Sequence, residues 1–236
     1  MAANDYGETG VDSLTLPDIV VFHAIARDSQ LYYDKRYQSA IAAGALLELV
    51  LESRVVFTGN NANEIAIQSS EPFGHSVVDY MLTQLGDTPA PVSVKDWLKR
   101  NANDGFYRTA ARDALLDRKY VLGDPHKVLG FLKVTRFTAA PKSGIDNLKR
   151  ELTDILFGAS EEVSLRAFAT LMLLSERDLF RTNYPDDQLK QHKARIEEIC
   201  AGRLTAPSPS VEAVKLIKRT IHSIDSSGRN AGGGAG

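Results

Sequence analysis

Apolar positions along this chain recur mainly at helical spacing, and the pattern predicts about eight helices interrupted by two small hairpins. Ser13 or Thr15 can cap a first helix with Pro17 in its first turn, where a missing N–H costs nothing, and Ile19, Val20, Phe22, His23 and Ile25 carry it on. His23, set among apolar neighbours, reads as a satisfied core histidine. From 39 to 53 the chain is apolar nearly all round, and small Ala40, Ala42, Ala43, Gly44 and Ala45 let other helices approach closely. This segment is predicted to be a buried central helix.

The β-rich runs 55–58 and 64–68, joined by Gly59-Asn60-Asn61-Ala62-Asn63, read as a short hairpin. Amphipathic helices follow at about 75–86, 93–101 and 105–119. In the second of these Ser93 is the cap candidate, and Trp97 with Val94 and Leu98 forms an apolar, core-facing stripe. A second β pair, 120–122 with 128–135, is expected to turn through Gly123-Asp124-Pro125-His126. Beyond Pro141 helices are expected at roughly 143–157, 160–176, 186–201 and 209–224, with breaks at Gly158, Pro185 and Pro207. The expected fold class is mainly α, a single helical domain around a central buried helix core with small β-hairpins. Its expected limits are 13–225, between a flexible N-terminus at 1–12 and a disordered Gly/Ala/Ser tail at 226–236.

Composition narrows the class without choosing a function. The 236 residues are 43% hydrophobic and 25% charged, which is ordinary for a globular domain with one sizeable core. A formal charge of -2 gives no overall pull toward nucleic acid, so any anion site must be local. The single cysteine, Cys200, has no partner for an internal disulfide and reads as a small core residue beside Ile196 and Ile199, consistent with a reducing cytosol. No apolar run approaches the roughly 20 residues that span a bilayer, and the first residues lack the basic start and apolar centre of a signal peptide.

Catalytic chemistry finds no foothold. His23, His75, His126, His192 and His222 show no metal-ligand spacing, and neither a phosphate-binding glycine loop nor a nucleophile elbow occurs. Acid pairs such as Glu161-Glu162 and Glu197-Glu198 fall in first turns or on polar faces. No catalytic residue, metal site or cofactor is expected. Basic residues say more. Arg108 and Arg112 are i, i+4 neighbours with Arg118 and Lys119 at the same helix's end; this is either a solvated face or an Arg fork for a phosphate. The loop Leu31-Tyr32-Tyr33-Asp34-Lys35-Arg36-Tyr37 adds aromatics beside cations, a composition suited to a membrane interface or a ligand rim.

Several segments, in order, resemble the Golgi phosphoprotein 3 family. Leu14 to Asp18 is similar to its L-T-L-P-[DE] pattern, and Gly44 to Val55 to its G-x-L-L-x-E-L helix with the following R-[IVL]. Ser93-Val94-Lys95-Asp96-Trp97-Leu98 resembles S-V-K-D-W-[IL], Leu115 to Arg118 resembles L-V-E-[RK], and Phe131 through Thr135-Arg136-Phe137 to Pro141 resembles F…T-R-[YF]…P. The resemblance covers about 13 to 202. It implies a mainly helical domain that binds phosphatidylinositol 4-phosphate at a membrane surface, engages cytosolic tails of membrane proteins and self-associates through a projecting hairpin. Location would be cytoplasmic and peripheral on membrane, at the Golgi in a eukaryote.

Residue by residue, the family's pocket Trp corresponds to Tyr33, its central-helix Arg to Ala42, and its two basic positions before the hairpin to Gly105 and Arg108. Lys35, Arg36 and Arg112 are cations that can substitute. The implied headgroup set is thus Tyr33, Arg36, Arg108 and Arg112, with Val128, Leu129, Phe131 and Leu132 of the hairpin meeting bilayer or a second copy. Two alternatives stand beside this reading. One is a scaffold that kept the fold and lost the lipid site. The other is a winged-helix DNA-binding protein built from 93–101, 105–119 and the following β pair, which the negative net charge and apolar hairpin oppose, so no nucleic-acid partner is expected.

Overall fold

The computed structural model describes residues 11–25, 35–102, 104–128, 132–141, 143–158, 160–176 and 179–230. Its organising element is α2 (Lys35–Leu51), in which every residue from Tyr37 to Val50 is buried. A helix apolar all round must be enclosed. It is enclosed by α1 (Leu16–His23), α3 (Ser76–Gly86), α4 (Val94–Asn101), α5 (Gly105–Asp117), α7 (Leu165–Glu176) and α10 (Pro209–Asn230), all of which pack on it. The remaining helices, α6 (Ile145–Phe157), α8 (Asp186–Gln191) and α9 (Lys193–Cys200), form an outer group, with α6 and α9 in mutual contact. Buried apolar side chains from Val11 to Ile221 belong to one core cluster. The mainly α class expected from periodicity is the one found.

Small residues on α2 are used for close approach. A Cβ built on Gly44 would lie 3.3 Å from the Pro17 nitrogen and 3.4 Å from the Leu16 carbonyl carbon, so α1 crosses α2 with backbone against backbone. Gly44→Val should therefore overpack this crossing and lower stability by about 1–3 kcal/mol in a urea melt. An unchanged midpoint would show that the two helices can separate freely.

Capping follows the local sequence. Thr15 accepts from the Asp18 N–H at 3.4 Å to start α1 with Pro17 in the first turn, and Ser93 accepts from the Asp96 N–H at 3.3 Å to start α4. The S-V-K-D-W-L segment is thus a cap followed by an inward stripe of Val94, Trp97 and Leu98, with Lys95 and Asp96 outward.

The β elements depart from expectation in two places. β1 (Val55–Thr58) and β2 (Glu64–Ile67) form the first hairpin in register Val55↔Ile67, but β3 (Val92–Ser93) joins them as a third strand that the pattern did not reveal. The second hairpin does not turn at Gly123–His126. β4 (Val121–Val128) runs straight through that stretch and pairs with β5 (Leu132–Ala139) from Val121↔Ala139 to Val128↔Leu132. Pro125 is tolerated because both strands of a two-stranded ribbon are edges, where a missing N–H can face outward. Other corrections are smaller: α2 begins at Lys35, the expected helix at 186–201 breaks at His192, and Cys200 is half-buried rather than a full core residue. At the ends, Val11 is fully buried and its N–H donates to Glu151 Oε2 at 2.8 Å, while α10 continues to Asn230.

Candidate functional site on α5

Helix α5 is locked from behind. Asp104 caps it by accepting from the Phe106 N–H at 2.9 Å, and it also accepts from the Tyr80 hydroxyl at 3.2 Å. Tyr107, fully buried, donates to Asn101 Oδ1 at 2.9 Å, and its phenol is pushed far above the usual range by desolvation. Ala111 and Leu115 continue the inward face against α1, α2 and α3. Outward are Gly105 and Phe106 in the first turn, with Thr109 and Asp117 further along, and Arg108 and Arg112 lie on the partly covered flank.

The two arginines are not equivalent. Arg112 is committed: its Nε and Nη2 lie 2.8 and 2.7 Å from Asp113 Oδ1, and its guanidinium stacks 5.0 Å from the Phe137 ring centroid on β5. It ties α5 to the hairpin and has little left for an anion. Arg108, half-buried, has no acidic partner among the described residues. Gly105 is exposed, and a Cβ there would meet nothing within 4 Å. Ala42, where the resemblance places a central-helix Arg, is 1% exposed inside the packing of α2, so that position is core here.

Of the other expected site residues, Tyr33 lies outside the described residues and Arg36 stands in the first turn of α2. Val128 and Leu132 form the last register pair at the hairpin tip, while Leu129 and Phe131 lie outside the described residues. The helical pattern concealed two exposed apolar side chains near this face. Phe106, 38% exposed, stacks on Tyr80 with ring centroids 3.7 Å apart, and Leu122 on β4 is 47% exposed. Phe106 sits at an apolar-spaced position and so reads as core; only the cap at Asp104, which places it in the first turn, hints otherwise.

Behind α5 lies an ion network that spacing could not reveal. Asp18, fully buried, accepts from Arg118 Nη1 at 2.6 Å and lies 3.1 Å from His75 Nε2. Arg118 also covers the Tyr120 ring at 4.8 Å, and Tyr120 packs edge-on to Phe22. Arg118 is therefore a fastener between the end of α5 and the start of α1, not a free cation for a ligand. The His–Asp pair is not arranged for acid–base relay. The same ring nitrogen faces Asp18 and, at 3.4 Å, the Thr15 hydroxyl that already caps α1, so no nucleophile is activated.

A second buried carboxylate, Glu48, accepts from the Leu16 N–H and from Arg166 Nη1, each at 2.8 Å; burial raises its pKa against the opposing pull of Arg166. The L-T-L-P-D and E-L motifs thus encode the joints between α1, α2, α5 and α7.

Among the described residues no cluster of three or more His, Cys, Asp or Glu side chains could hold a metal ion, and no helix is long and apolar enough to cross a membrane. No curated protein matches the chain. The family model described as Golgi phosphoprotein 3 (GPP34) matches residues 25–219, a span that takes in the central helix, both hairpins and the α5 face, and the chain belongs to that family.

Proposed function

We propose that the protein is a peripheral membrane adaptor whose α5 face holds an anionic phosphoinositide headgroup, phosphatidylinositol 4-phosphate in the family's case, and that it sorts or retains membrane proteins through their cytosolic tails. The observation that carries this reading is Arg108: a half-buried guanidinium with no acidic partner among the described residues, beside an open Gly105. Such a group gains most from a phosphate, which it can meet with paired N–H bonds. The family resemblance adds Tyr33 and Arg36 to the headgroup set and assigns Val128, Leu129, Phe131 and Leu132 to contact with bilayer or a second copy, and exposed Phe106 stands beside Arg108 on the same helix.

Sedimentation with phosphatidylcholine vesicles, with and without phosphatidylinositol 4-phosphate, tests the headgroup. Arg108→Glu should weaken phosphoinositide-dependent pelleting by about 1.5–3 kcal/mol, roughly 10- to 100-fold, and Gly105→Arg should strengthen it by roughly tenfold. Equal pelleting on both vesicles would leave a family fold without its lipid. Self-association is read by light scattering: Leu132→Asp should lower the mean mass, and a wild-type protein that is strictly monomeric at high concentration removes that part of the proposal.

A further inference from the structure

The three-stranded sheet ends on one side at β1, and the pairing shows which groups that edge presents. The Gln68 N–H donates to the Arg54 carbonyl at 2.8 Å, which makes Arg54–Gln68 a bonded pair and, by alternation, Val56–Ala66 and Thr58–Glu64 as well. The other side of β2 agrees. The Val94 N–H donates to the Asn63 carbonyl at 2.8 Å, so Ile65 turns its main-chain groups toward Val92 of β3 and not toward β1. The N–H and C=O groups of Val55 and Phe57 therefore point away from the sheet. No main-chain bond from another described segment meets them.

A cavity of about 580 Å³ lies along this edge, walled by Val55, Val56 and Phe57 on one side and by Ala213, Leu216 and Arg219 of α10 on the other. A cavity against one face of a strand would touch alternate residues, because successive side chains point to opposite faces. This one touches three in a row and so follows the strand's edge. On the helix, Ala213, Leu216 and Arg219 recur at a spacing of three and form one ridge, while Pro209, Ser210 and Glu212 line the cavity at the helix start, Glu212 being paired with Lys215 at 3.0 Å. Ala213 and Leu216 give it an apolar floor, and Arg219 is exposed with no ion-pair partner among the described residues.

We infer that this groove takes an extended peptide segment of a partner protein, added to β1 as a fourth strand, with an aliphatic side chain over Ala213 and Leu216 and a carboxylate on Arg219. The outward N–H and C=O of Phe57 match one residue of an extended chain, which can exchange both of its own main-chain groups with them. Main-chain bonding supplies affinity in such strand addition, and pockets for alternate side chains supply selectivity. Half-buried Phe57 offers the reachable pair of main-chain groups, Val55 being wholly buried. The inference stands apart from the lipid reading, since the groove and the α5 face share no residue.

The test uses the full chain and a phage-displayed library of random peptides of roughly seven residues, long enough to overreach the four-residue strand. Enriched peptides, resynthesised with a fluorophore and measured by anisotropy without lipid, should carry an aliphatic and an acidic residue in an extended spacing. Binding should fall roughly tenfold or more on Arg219→Glu, a surface change that leaves the core alone. N-methylation of the one peptide amide that donates to the Phe57 carbonyl should abolish binding, while methylation of the amides on either side of it should leave it. Three outcomes overturn the inference: no enrichment, enriched peptides that bind Arg219→Glu equally, or peptides indifferent to N-methylation, the last of which would mark the cavity as a pocket for small apolar ligands.

Discussion

Replacing Arg166 by methionine should lower the unfolding free energy by about 3–5 kcal/mol at neutral pH, because it strands a carboxylate inside the core. Glu48 is 1% exposed, and Arg166, itself only 17% exposed, is the cation that compensates it at 2.8 Å. The remaining partner, the Leu16 N–H, cannot balance a full charge. Glu48 would then take up a proton in the fold at a pH where the unfolded chain does not. An acid whose folded pKa lies above its unfolded value stabilises the fold when protonated, so the variant should recover stability as pH is lowered through that folded pKa. Adding Glu48→Gln should restore most of the loss at neutral pH, since the amide oxygen can still accept from Leu16 and no charge is left buried. Denaturant melts of both single variants and the double variant measure this. Additive losses would mean that the two side chains do not act as a pair.

Acid should weaken the fold through His23, the second large effect. Burial, with help from the Lys149 charge, lowers its pKa from 6.5 to about 3. The structure gives the reason for neutrality. Tyr37 donates its hydroxyl proton to Thr182 at 2.8 Å, so His23 Nδ1, 3.3 Å from the same oxygen, is the donor, and Nε2 faces no hydrogen-bond partner. The sequence reading of a satisfied core histidine is therefore half right: one nitrogen is engaged.

With a depressed pKa, the folded state refuses a proton that the unfolded state accepts. Stability is thus unaffected above pH 6.5 and falls by about 1.4 kcal/mol per pH unit between 6.5 and about 3. By pH 4.5 the cost is about 2–3 kcal/mol. Unfolding free energies of wild type and His23→Gln across this range isolate the contribution, because carboxylates titrating in the same window cancel in the difference. Parallel profiles would show that His23 is protonated in the fold.

The sequence disclosed what is local or periodic. Apolar residues at every position from Ala40 to Leu51 except Glu48 demand enclosure whatever the neighbours, and Thr15 before Pro17 and Ser93 before Val94 announce their helices by chemistry that acts within one turn. Pro125 misled because its usual role in turns is conditional: on a ribbon with two open edges it does not end a strand. β3 is too short to carry a period. The candidate site was legible only in part for the same reason. Arg108, Arg112 and Arg118 look alike along the chain, and what separates them lies elsewhere in it: Asp113 and Phe137 hold Arg112, Asp18 at a separation of 100 residues holds Arg118, and Arg108 is left. A helix wheel shows which cations share a face, but which of them is already neutralised depends on tertiary contacts.

The chain carries a single tryptophan, and its position makes it an optical gauge of the neighbourhood of the site. Trp97 is 2% exposed, its indole N–H points at Met81 Sδ at 2.9 Å, and Arg100 covers the ring at 4.3 Å. Met81 Sδ also lies 3.6 Å from the hydroxyl oxygen of Tyr107, one residue before Arg108. Emission colour and quenching under tryptophan-selective excitation therefore report on the junction of α3, α4 and α5. If a headgroup settles on Arg108 as proposed, a change in the intrinsic fluorescence of the unlabelled protein is the expected sign of it.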